Sequence, residues 1–541
     1  MTRTAHKTCN LCEAACGLLI DVEDGDRVAA IRPDPDDPFS RGHICPKAFT
    51  LKEIHEDPDR LRRPLRRTAS GGWEEVGWDE ALDEAATRLA ALQRRDGRDA
   101  VATYIGNPVA HSFATGLGAL GLVAAVGSRS RFSTNSVDSN PRLCASLLLY
   151  GNQVAIPVPD IDRTRFMLIL GANPVVSNGS VMTAPGVRAR LRAIQARGGK
   201  LVVVDPRRTE TARIADEHLF IRPGEDALLV AALVGVVVAE RLWRESPALA
   251  RASGLERLAI EVAPFTPERV EGRTGIAAAT IRRLAREFAA APGAVCYGRT
   301  GICNAAFAAL TSWLIDALNL LTGNLDREGG SMFPTPAVDL GALAARVGQR
   351  GHVGRWRSRV RGAPEFNDEI PVACLAEEVL TPLSAAPAGR GADGLERAPA
   401  TPVRGLVTIA ANPVLSAPNG RRVEEALGAL ECYVAIDIYR NESTRHAHLI
   451  LPPAWSLEQD NYEAIAYLVA VRNVAKYSPA VVPAPPGSKR DYDILAELSL
   501  RLVERRAGGV RGLLARAARR AVPTPRRLLD LLLRTGPHGD R

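Results

Sequence analysis

Residues 165–177 read RFMLILGANPVVS, an apolar run that ends in a glycine and an Asn-Pro turn. A continuous apolar run of this length is typical of a parallel strand that is buried on both faces. A helical pattern follows, with Val187, Leu191 and Ile194 on one face, and then a second apolar run at 201–204. This βαβ rhythm predicts an open α/β sheet, and such sheets bind ligands at the carboxyl ends of their strands.

The same stretch occurs a second time later in the chain. Residues 406–416 read LVTIAANPVLS, so that Asn412-Pro413 corresponds to Asn173-Pro174. After the next apolar run, four further residues recur at identical spacing, namely Asp205, Arg208, Glu210 and Arg213 in the first copy and Asp437, Arg440, Glu442 and Arg445 in the second. We interpret this pattern as a duplicated α/β unit with a duplicated ligand site.

Each copy predicts a nucleotide site, with shared turn chemistry alone as the alternative explanation of the repeat. An Asp at a strand end can accept two hydrogen bonds from a guanine edge or a ribose, while Asn-Pro turns and arginines suit diphosphate oxygens. The predicted contacts are Gly171, Asn173, Pro174, Asp205, Arg207, Arg208, Gly224 and Asp226 in the first copy and Asn412, Pro413, Asp437, Arg440 and Glu442 in the second. The glycine-rich loop 323–330 is a weaker candidate for anion binding.

Four of the nine cysteines lie near the amino terminus, at Cys9, Cys12, Cys16 and Cys45. Three thiolates from one short turn and a distant fourth can ligate a [4Fe-4S] cluster, whereas structural zinc usually takes two C-x-x-C pairs. Zinc remains the alternative at this point. Residues 18–31 predict two short strands around an Asp-Gly turn, so residues 1–60 predict a small β-rich module. Lys47 is either a solvated lysine or a cation between the cluster and a second redox centre.

Composition limits the class of protein. The chain has 541 residues, 46% of them hydrophobic and 24% charged, which excludes wholesale disorder. No apolar run approaches the ~18 residues of a membrane span, and 228–239 predicts a buried helix. The net charge is +8, but the basic residues are not interleaved with aromatic residues that could stack on bases. We therefore expect no nucleic-acid partner. The amino terminus has no apolar signal region, so we expect a cytoplasmic protein with reduced thiols.

Together these motifs resemble the dimethyl sulfoxide reductase family of molybdenum enzymes, which includes formate dehydrogenases and nitrate reductases. The resemblance covers nearly the whole chain and rests on the four cysteines with Cys45-Pro46-Lys47 and on segments 171–174, 204–207 and 436–442. It implies a β-rich [4Fe-4S] domain followed by two related doubly wound α/β domains, one inserted in the other. The implied bounds are 1–60 for the cluster domain, 61–105 with 336–490 for the α/β domain of the second nucleotide site, 106–335 for the inserted domain of the first site, and 491–541 for a helical tail.

The resemblance also implies the cofactors and the chemistry. Two molybdopterin guanine dinucleotides would hold one molybdenum, with one guanine nucleotide in each copy of the repeat. The family places a Cys, selenocysteine or Ser on the metal, and the matching segment 135–144 ends in Cys144. A buried cysteine that packs as a small hydrophobe is the alternative for Cys144. Molybdenum would exchange two electrons with a small-molecule substrate. The cluster would pass electrons singly, along a path past Lys47, to a ferredoxin, a flavoprotein or an iron–sulfur subunit.

Two departures from the family pattern affect the expected function. Ala145 follows Cys144, where formate dehydrogenases of this family typically carry a catalytic histidine, so nitrate or another small oxyanion is favoured over formate. The chain ends at Arg541, about where a C-terminal β-barrel that closes over the dinucleotides should begin. We therefore expect a separate chain to supply that domain or the product to be truncated and inactive. A non-catalytic, cluster-carrying subunit like the large subunit of respiratory complex I is the alternative function.

Overall fold

The smaller of two α/β sheets contains the first copy of the repeat. The computed structural model describes residues 2–383, 396–397, 401–507, 509–518 and 524–540. The four strands of this sheet are all parallel, in the order Glu217–Leu219, Lys200–Val204, Phe166–Leu170 and Ala294–Gly298. Phe166, Leu168 and Leu170 pack into one core, whereas Met167 and Ile169 pack into another on the opposite face. The apolar run is therefore buried on both sides, as the sequence predicts.

The larger sheet contains the second copy. Its seven strands lie in the order Trp73–Glu75, Leu65–Arg67, Leu449–Ile450, Cys432–Ile436, Gly405–Ile409, Val101–Ile105 and Arg131–Ser133. The last five are parallel, and the first two form an antiparallel extension. The four strands from Leu449–Ile450 to Val101–Ile105 repeat the order of the smaller sheet. This shared strand order confirms that two related α/β units are present.

The cluster module is a three-stranded antiparallel sheet of Arg3–Thr8, Gly17–Glu23 and Arg27–Pro33. Asp24 and Gly25 form the predicted turn, both with positive φ. The first of the three strands was not predicted, because its residues alternate too weakly. Its last residue, Thr8, donates its backbone N–H to Ser478 Oγ at 2.8 Å, which ties the module to a distant part of the chain.

The remaining elements are mostly helices. The helices of eight or more residues are Trp78–Asp96, Phe113–Val126, Asn140–Tyr150, Val187–Ala196, Asp226–Ala239, Leu255–Val262, Pro267–Thr274, Ala278–Ala290, Ala308–Leu321, Gly420–Gly428, Asp491–Ala507, Gly509–Ala518 and Pro525–Thr535. The shorter ones are Thr50–Glu56, Pro174–Ser177, Pro247–Ala250, Thr300–Cys303, Leu340–Arg346, Leu375–Leu380, Pro413–Ser416 and Ala464–Tyr467. Three small sheets pair Val158–Pro159 with Ser331–Met332, Val353–Arg357 with Pro364–Phe366 and Glu396–Arg397, and Asn461–Tyr462 with Tyr477–Ser478.

Two contacts bear on the predicted domain bounds. Arg131–Ser133 pairs with Val101–Ile105, so the larger sheet continues past residue 105, where the inserted domain is predicted to begin. Asp491–Ala507, the first part of the predicted tail, packs into the same core as Val434 and Ile436 of the larger sheet. The rest of the predicted division stays a prediction.

The strongly apolar segment 228–239 lies in the helix Asp226–Ala239, which is buried as predicted. Within the ranges given above, no helix is both long and apolar enough to cross a membrane.

The loops after neighbouring strands approach each other closely in both sheets. A Cβ at Gly106 would lie 1.8 Å from the carbonyl oxygen of Ala410, and one at Gly301 would lie 2.7 Å from Gly171 Cα. We therefore expect Gly106→Ala to lower the free energy of unfolding by about 1–3 kcal/mol, since it forces the two loops apart. Urea unfolding would measure the change.

The control is Gly121→Ala, at an exposed site in the interior of Phe113–Val126 with nothing within 4 Å of the added Cβ. Alanine there should raise the free energy of unfolding by roughly 0.5–1 kcal/mol. Wild-type stability in Gly106→Ala would contradict the close approach of these loops.

Candidate functional site

Asn173 at the end of Phe166–Leu170 is fixed by the segment that follows the next strand. Its Nδ2 donates to Glu210 Oε2 at 2.7 Å, and its Oδ1 accepts from Thr211 Oγ1 at 2.8 Å. Thr211 Oγ1 in turn accepts the backbone N–H of Val175 at 3.1 Å. The amide therefore locks the Asn-Pro turn to the segment after the adjacent strand.

The second copy has the same network. Asn412 Nδ2 donates to Glu442 Oε2 at 2.8 Å, and Asn412 Oδ1 accepts from Ser443 Oγ at 2.6 Å. Ser443 Oγ accepts the backbone N–H of Val414 at 3.0 Å. Thr211 and Ser443, the two hydroxyl residues, are both fully buried. The repeat in the sequence thus corresponds to a repeat of side-chain geometry.

Asp205 and Asp437 also have equivalent surroundings. Asp205 Oδ1 accepts the backbone N–H of Arg207 at 2.8 Å, and Asp437 Oδ1 accepts that of Tyr439 at 3.1 Å. Burial raises the pKa of Asp437 to about 6, although these N–H groups act against the rise. In each copy one carboxylate oxygen accepts this backbone N–H, and Asp437 Oδ2 also accepts a longer bond from Asn441 Nδ2 at 3.4 Å.

The other predicted contacts of the first copy divide into two sets. Burial raises the pKa of Asp226, and the nearby carboxylate of Asp205 raises it further, so the loop with Gly224 and Asp226 does reach this site. Arg207 and Arg208 are exposed beside Asp205, as Arg440 is beside Asp437. Pro174 and Pro413 are buried first residues of short helices, and the N–H of Gly171 donates to Val204.

The loop 323–330 does not join the site. Gly329 packs against Gly293, which precedes the strand Ala294–Gly298, and its N–H donates to Asp160 Oδ2 at 2.8 Å. The loop therefore lies at the amino ends of the strands of the smaller sheet, opposite to Asn173. Anion binding by this loop stays a prediction, because glycine content alone does not tell which edge of a sheet a loop covers.

The four amino-terminal cysteines lie together, with the N–H of Cys9 bonded to the carbonyl oxygen of Cys16 at 2.8 Å. Burial raises the pKa of Cys9 to about 12 and also raises those of Cys12 and Cys16. No three of their sulfur atoms lie within 4.8 Å of one another. A single zinc ion with 2.3 Å Zn–S bonds would need sulfur atoms roughly 3.8 Å apart. The wider spacing fits a cluster of several metal ions.

Two lysines, Lys47 and Lys476, lie beside this cysteine set. Lys47 is exposed, and its charge acts against the burial that raises the pKa of Cys12. Lys476 Nζ donates to the carbonyl oxygen of Ala15, between Cys12 and Cys16, and bonds Asp37 at 2.8 Å. Lys7 is buried and donates to two backbone carbonyl groups, and burial lowers its pKa to about 8. These charges suit an anionic iron–sulfur cluster.

Cys144 lies half-buried in the first half of Asn140–Tyr150, and burial raises the pKa of its thiol. The segment that carries it bridges the two copies. Val137 packs against the core that contains Ala411, while Leu143 packs against the core that contains Ala172. Cys144 therefore lies on a segment between the two Asn-Pro turns.

The cluster module also contacts both copies. His43 Nε2 and Asn178 Oδ1 are 3.1 Å apart, and the N–H of Val181 donates to Glu13 Oε2 at 3.0 Å. On the other side, Tyr439, two residues after Asp437, donates its hydroxyl to Asp57 Oδ2 at 2.6 Å. The cluster module thus contacts, in each copy, a segment close in sequence to the Asn/Asp pair.

Sequence reasoning missed several residues of this region. Arg299 is buried, binds both carboxylate oxygens of Asp138 at 2.8 and 2.9 Å, and donates to Ser180 Oγ. Glu13 lies beside it, and burial raises the pKa of Glu13. The position of Glu13 between two cysteines was a usable signal. A further Asn-Pro pair that follows a strand, Asn107-Pro108 after Val101–Ile105, was another.

Two family models match the chain. The one described as "Molybdopterin oxidoreductase" matches residues 60–501, and the one described as "Molybdopterin oxidoreductase Fe4S4 domain" matches residues 2–56. The chain belongs to the molybdopterin oxidoreductase family. The predicted oxidoreductase class, the [4Fe-4S] cluster and the molybdenum–molybdopterin cofactor are confirmed at that level, and the zinc alternative is not.

Curated relatives of known activity are similar over most of this chain. The assimilatory nitrate reductase catalytic subunit of Bacillus subtilis is 26% identical over 515 residues, which are 92% of this chain and 68% of that protein. Formate dehydrogenase H of Escherichia coli is 27% identical over 91% of this chain and 67% of that protein. The periplasmic nitrate reductase of Desulfovibrio desulfuricans is 28% identical over 84% of this chain and 60% of its own.

Acetylene hydratase from Pelobacter acetylenicus has a similar structure, with a TM-score of 0.75 at 19% identity. The match covers 92% of this chain and 69% of that one. This likeness confirms the predicted fold class.

The raised pKa of Asp437 predicts a pH dependence of stability. Between about pH 4 and pH 6 the folded chain holds more protons at this group than the unfolded chain, because the pKa is about 6 when folded and 3.8 in the reference state. The contribution of Asp437 to the unfolding free energy should therefore fall as the pH rises through this window. Urea unfolding of wild type and Asp437→Asn at several pH values measures it.

Glu268→Gln provides a control of opposite sign. The bond from Arg282 lowers the pKa of Glu268, so the wild type should gain stability relative to this variant as the pH rises. A pH-independent difference between wild type and Asp437→Asn would show that the carboxyl group is not held in a dry setting.

Proposed function

We propose that this chain is the catalytic chain of a molybdenum-dependent oxidoreductase that uses one [4Fe-4S] cluster and two molybdopterin guanine dinucleotides. The observation that carries the proposal is the pair of matching networks around Asn173 and Asn412. Two sites built from the same parts, at equivalent strand ends and joined by one segment, suit two copies of the same ligand. The cluster module that touches both sites supports electron transfer to that region.

The residues of each copy divide the work of binding a dinucleotide. The amide groups of Asn173 and Asn412 bond other residues of the protein and hold the two Asn-Pro turns rigid. The carboxylates of Asp205 and Asp437 would accept N–H groups of a guanine edge, at Asp437 through the oxygen that has only the 3.4 Å bond from Asn441. The exposed arginines beside them, Arg207, Arg208 and Arg440, would meet the diphosphate oxygens. Glu442 then acts through Asn412, as Glu210 acts through Asn173.

Cys144 is the proposed protein ligand of molybdenum. When bound, the metal centre supplies two-electron chemistry at a small substrate. A thiolate suits a soft, redox-active ion, and the charge of such an ion favours the thiolate form in a setting where burial alone favours the thiol. Arg142, two residues earlier, is bonded to Asp316, which anchors the helix that presents Cys144.

Cys9, Cys12, Cys16 and Cys45 would hold the cluster, with Lys47 as a cation beside it. Single electrons would then pass to or from a redox partner, which we propose is a ferredoxin, a flavoprotein or an iron–sulfur subunit. Cysteine reactivity and cluster assembly both favour a reducing compartment, so we propose the cytoplasm.

Nitrate or another small oxyanion is the proposed substrate class. Ala145 has none of its surface exposed, so position 145 offers no side chain to a substrate next to Cys144. The curated relatives do not separate the possibilities, since a nitrate reductase and a formate dehydrogenase are nearly equal in identity.

A cofactor-loaded preparation tests the proposal. Protein from a host that makes the cofactor should contain iron and molybdenum and reduce nitrate with a reduced viologen dye. Cys144→Ala should lower that rate by more than the roughly 10- to 100-fold that loss of an outer partner of a metal costs, because it removes a direct ligand. Iron content should not change.

The control is Cys374→Ala, a buried cysteine in the core beneath the larger sheet, which should keep the activity. Iron without molybdenum in the wild type would favour the non-catalytic, cluster-carrying subunit instead. Full activity in Cys144→Ala would remove Cys144 from the metal centre.

A further inference from the structure

Three side chains with metal-ligating atoms converge beside the hairpin of Val353–Arg357 and Pro364–Phe366. His352, Glu365 and Asp368 each offer one ligand atom, and these atoms all lie within 4.8 Å of one another. His352 Nδ1 is 2.8 Å from Glu365 Oε1, and His352 Nε2 is 3.4 Å from Asp368 Oδ1. These residues have no part in the molybdenum or iron–sulfur sites described above.

The histidine is buried without a hydrogen-bond partner. Its side chain is 9% exposed, and neither ring nitrogen makes a hydrogen bond. The carboxylate oxygens are close enough to the ring nitrogens for a hydrogen bond, so it is the angle of approach and not the distance that prevents one. Buried polar atoms nearly always have a hydrogen-bond partner, so a buried atom without one needs a physical explanation. One of the two ring nitrogens can bind an ion together with the carboxylates, because one ligand atom from each of the three residues lies within 4.8 Å of the others.

The charge around the histidine is also unbalanced. Glu365 is buried, whereas Asp368 and Glu369 are partly exposed. Arg131 Nη1, 3.3 Å from Asp368 Oδ2, is the cation that contacts this group within the described residues. Glu365 and Asp368 beside one guanidinium leave one negative charge in excess next to the histidine, and Glu365 is fully buried. A divalent cation would offset that charge.

The carboxylates are oriented as metal ligands usually are. Glu365 Oε2 accepts the backbone N–H of Arg355 at 3.0 Å, and Glu365 Oε1 accepts that of Asp368 at 2.6 Å. Asp368 uses Oδ2 for Arg131, which leaves Oδ1 for the site. Bonds of this kind from neighbouring groups hold ligating carboxylates in place.

We propose that His352, Glu365 and Asp368 bind one divalent transition-metal ion of the zinc class. One imidazole nitrogen and two carboxylate oxygens, with water in the fourth position, satisfy the tetrahedral preference of zinc. The imidazole disfavours magnesium and calcium, which prefer oxygen ligands throughout.

The ion would have a structural role. It would join the residue before the hairpin, His352, to the turn after it, at Asp368. That turn supports the segment that leads to Cys144, because the N–H of Ile370 donates to the carbonyl oxygen of Arg131 at 2.9 Å and that of Val372 donates to Ser136 Oγ at 2.9 Å. The proposal stands whether or not the chain is a catalytic molybdenum enzyme.

Zinc binding tests this directly. Holoprotein with its iron complement intact, so that the amino-terminal cysteines are occupied, is stripped with EDTA, dialysed against zinc chloride and analysed for metals. Wild type should retain about one zinc ion per chain, and His352→Gln and Asp368→Asn should lose it, since each removes a ligand. His446→Gln is the matched control, because His446 Nε2 lies 3.2 Å from a single carboxylate, that of Glu424. It should retain the zinc.

A second readout uses the wild type alone and so does not depend on the folding of a variant. Zinc should raise the melting temperature of the stripped wild type, and magnesium should not. No zinc bound to wild type, or equal zinc in wild type and His352→Gln, would overturn the proposal. The three residues would then be an imidazolium between two carboxylates.

Discussion

The amide of one asparagine at each of two strand ends is the contact on which the candidate site depends. Asn173 and Asn412 each bond a glutamate through nitrogen and a buried hydroxyl through oxygen, and both partners come from the segment after the neighbouring strand. Each such bond contributes about 1 kcal/mol, but loss of one partner leaves a buried polar group unpaired at a greater cost. The network therefore fixes the edge of each sheet in one geometry. This also fixes the positions of the aspartates that follow the neighbouring strands.

Duplication explains why the rest of the molecule takes its form. Two units with the same strand order present the same edge, and the segment that carries Cys144 packs against both cores. The cluster module closes the arrangement through His43 and Glu13 on one side and Asp57 on the other. This layout supports the proposal that a metal is held between two like ligands with an electron carrier at its side.

Much of this could be predicted from the sequence, because the decisive residues recur in order. Strands such as Phe166–Leu170 can be predicted from their unbroken apolar runs. The spacing from Asp205 to Glu210 recurs after Asp437. The partners of the asparagines were harder to predict. From the sequence alone Glu442 was predicted to contact the ligand, whereas in the structure it bonds Asn412. Contacts that join distant segments, such as Arg299 with Asp138 and His352 with Glu365, leave no periodic trace in the chain.

The central claim is that the two networks hold two identical nucleotides. The direct measurement is the guanosine monophosphate released by acid hydrolysis of purified holoprotein, counted against molybdenum. The account predicts two guanine nucleotides for each molybdenum atom, with less nucleotide retained in both Asn173→Ala and Asn412→Ala. One guanine nucleotide per molybdenum, or no loss in either variant, would contradict it.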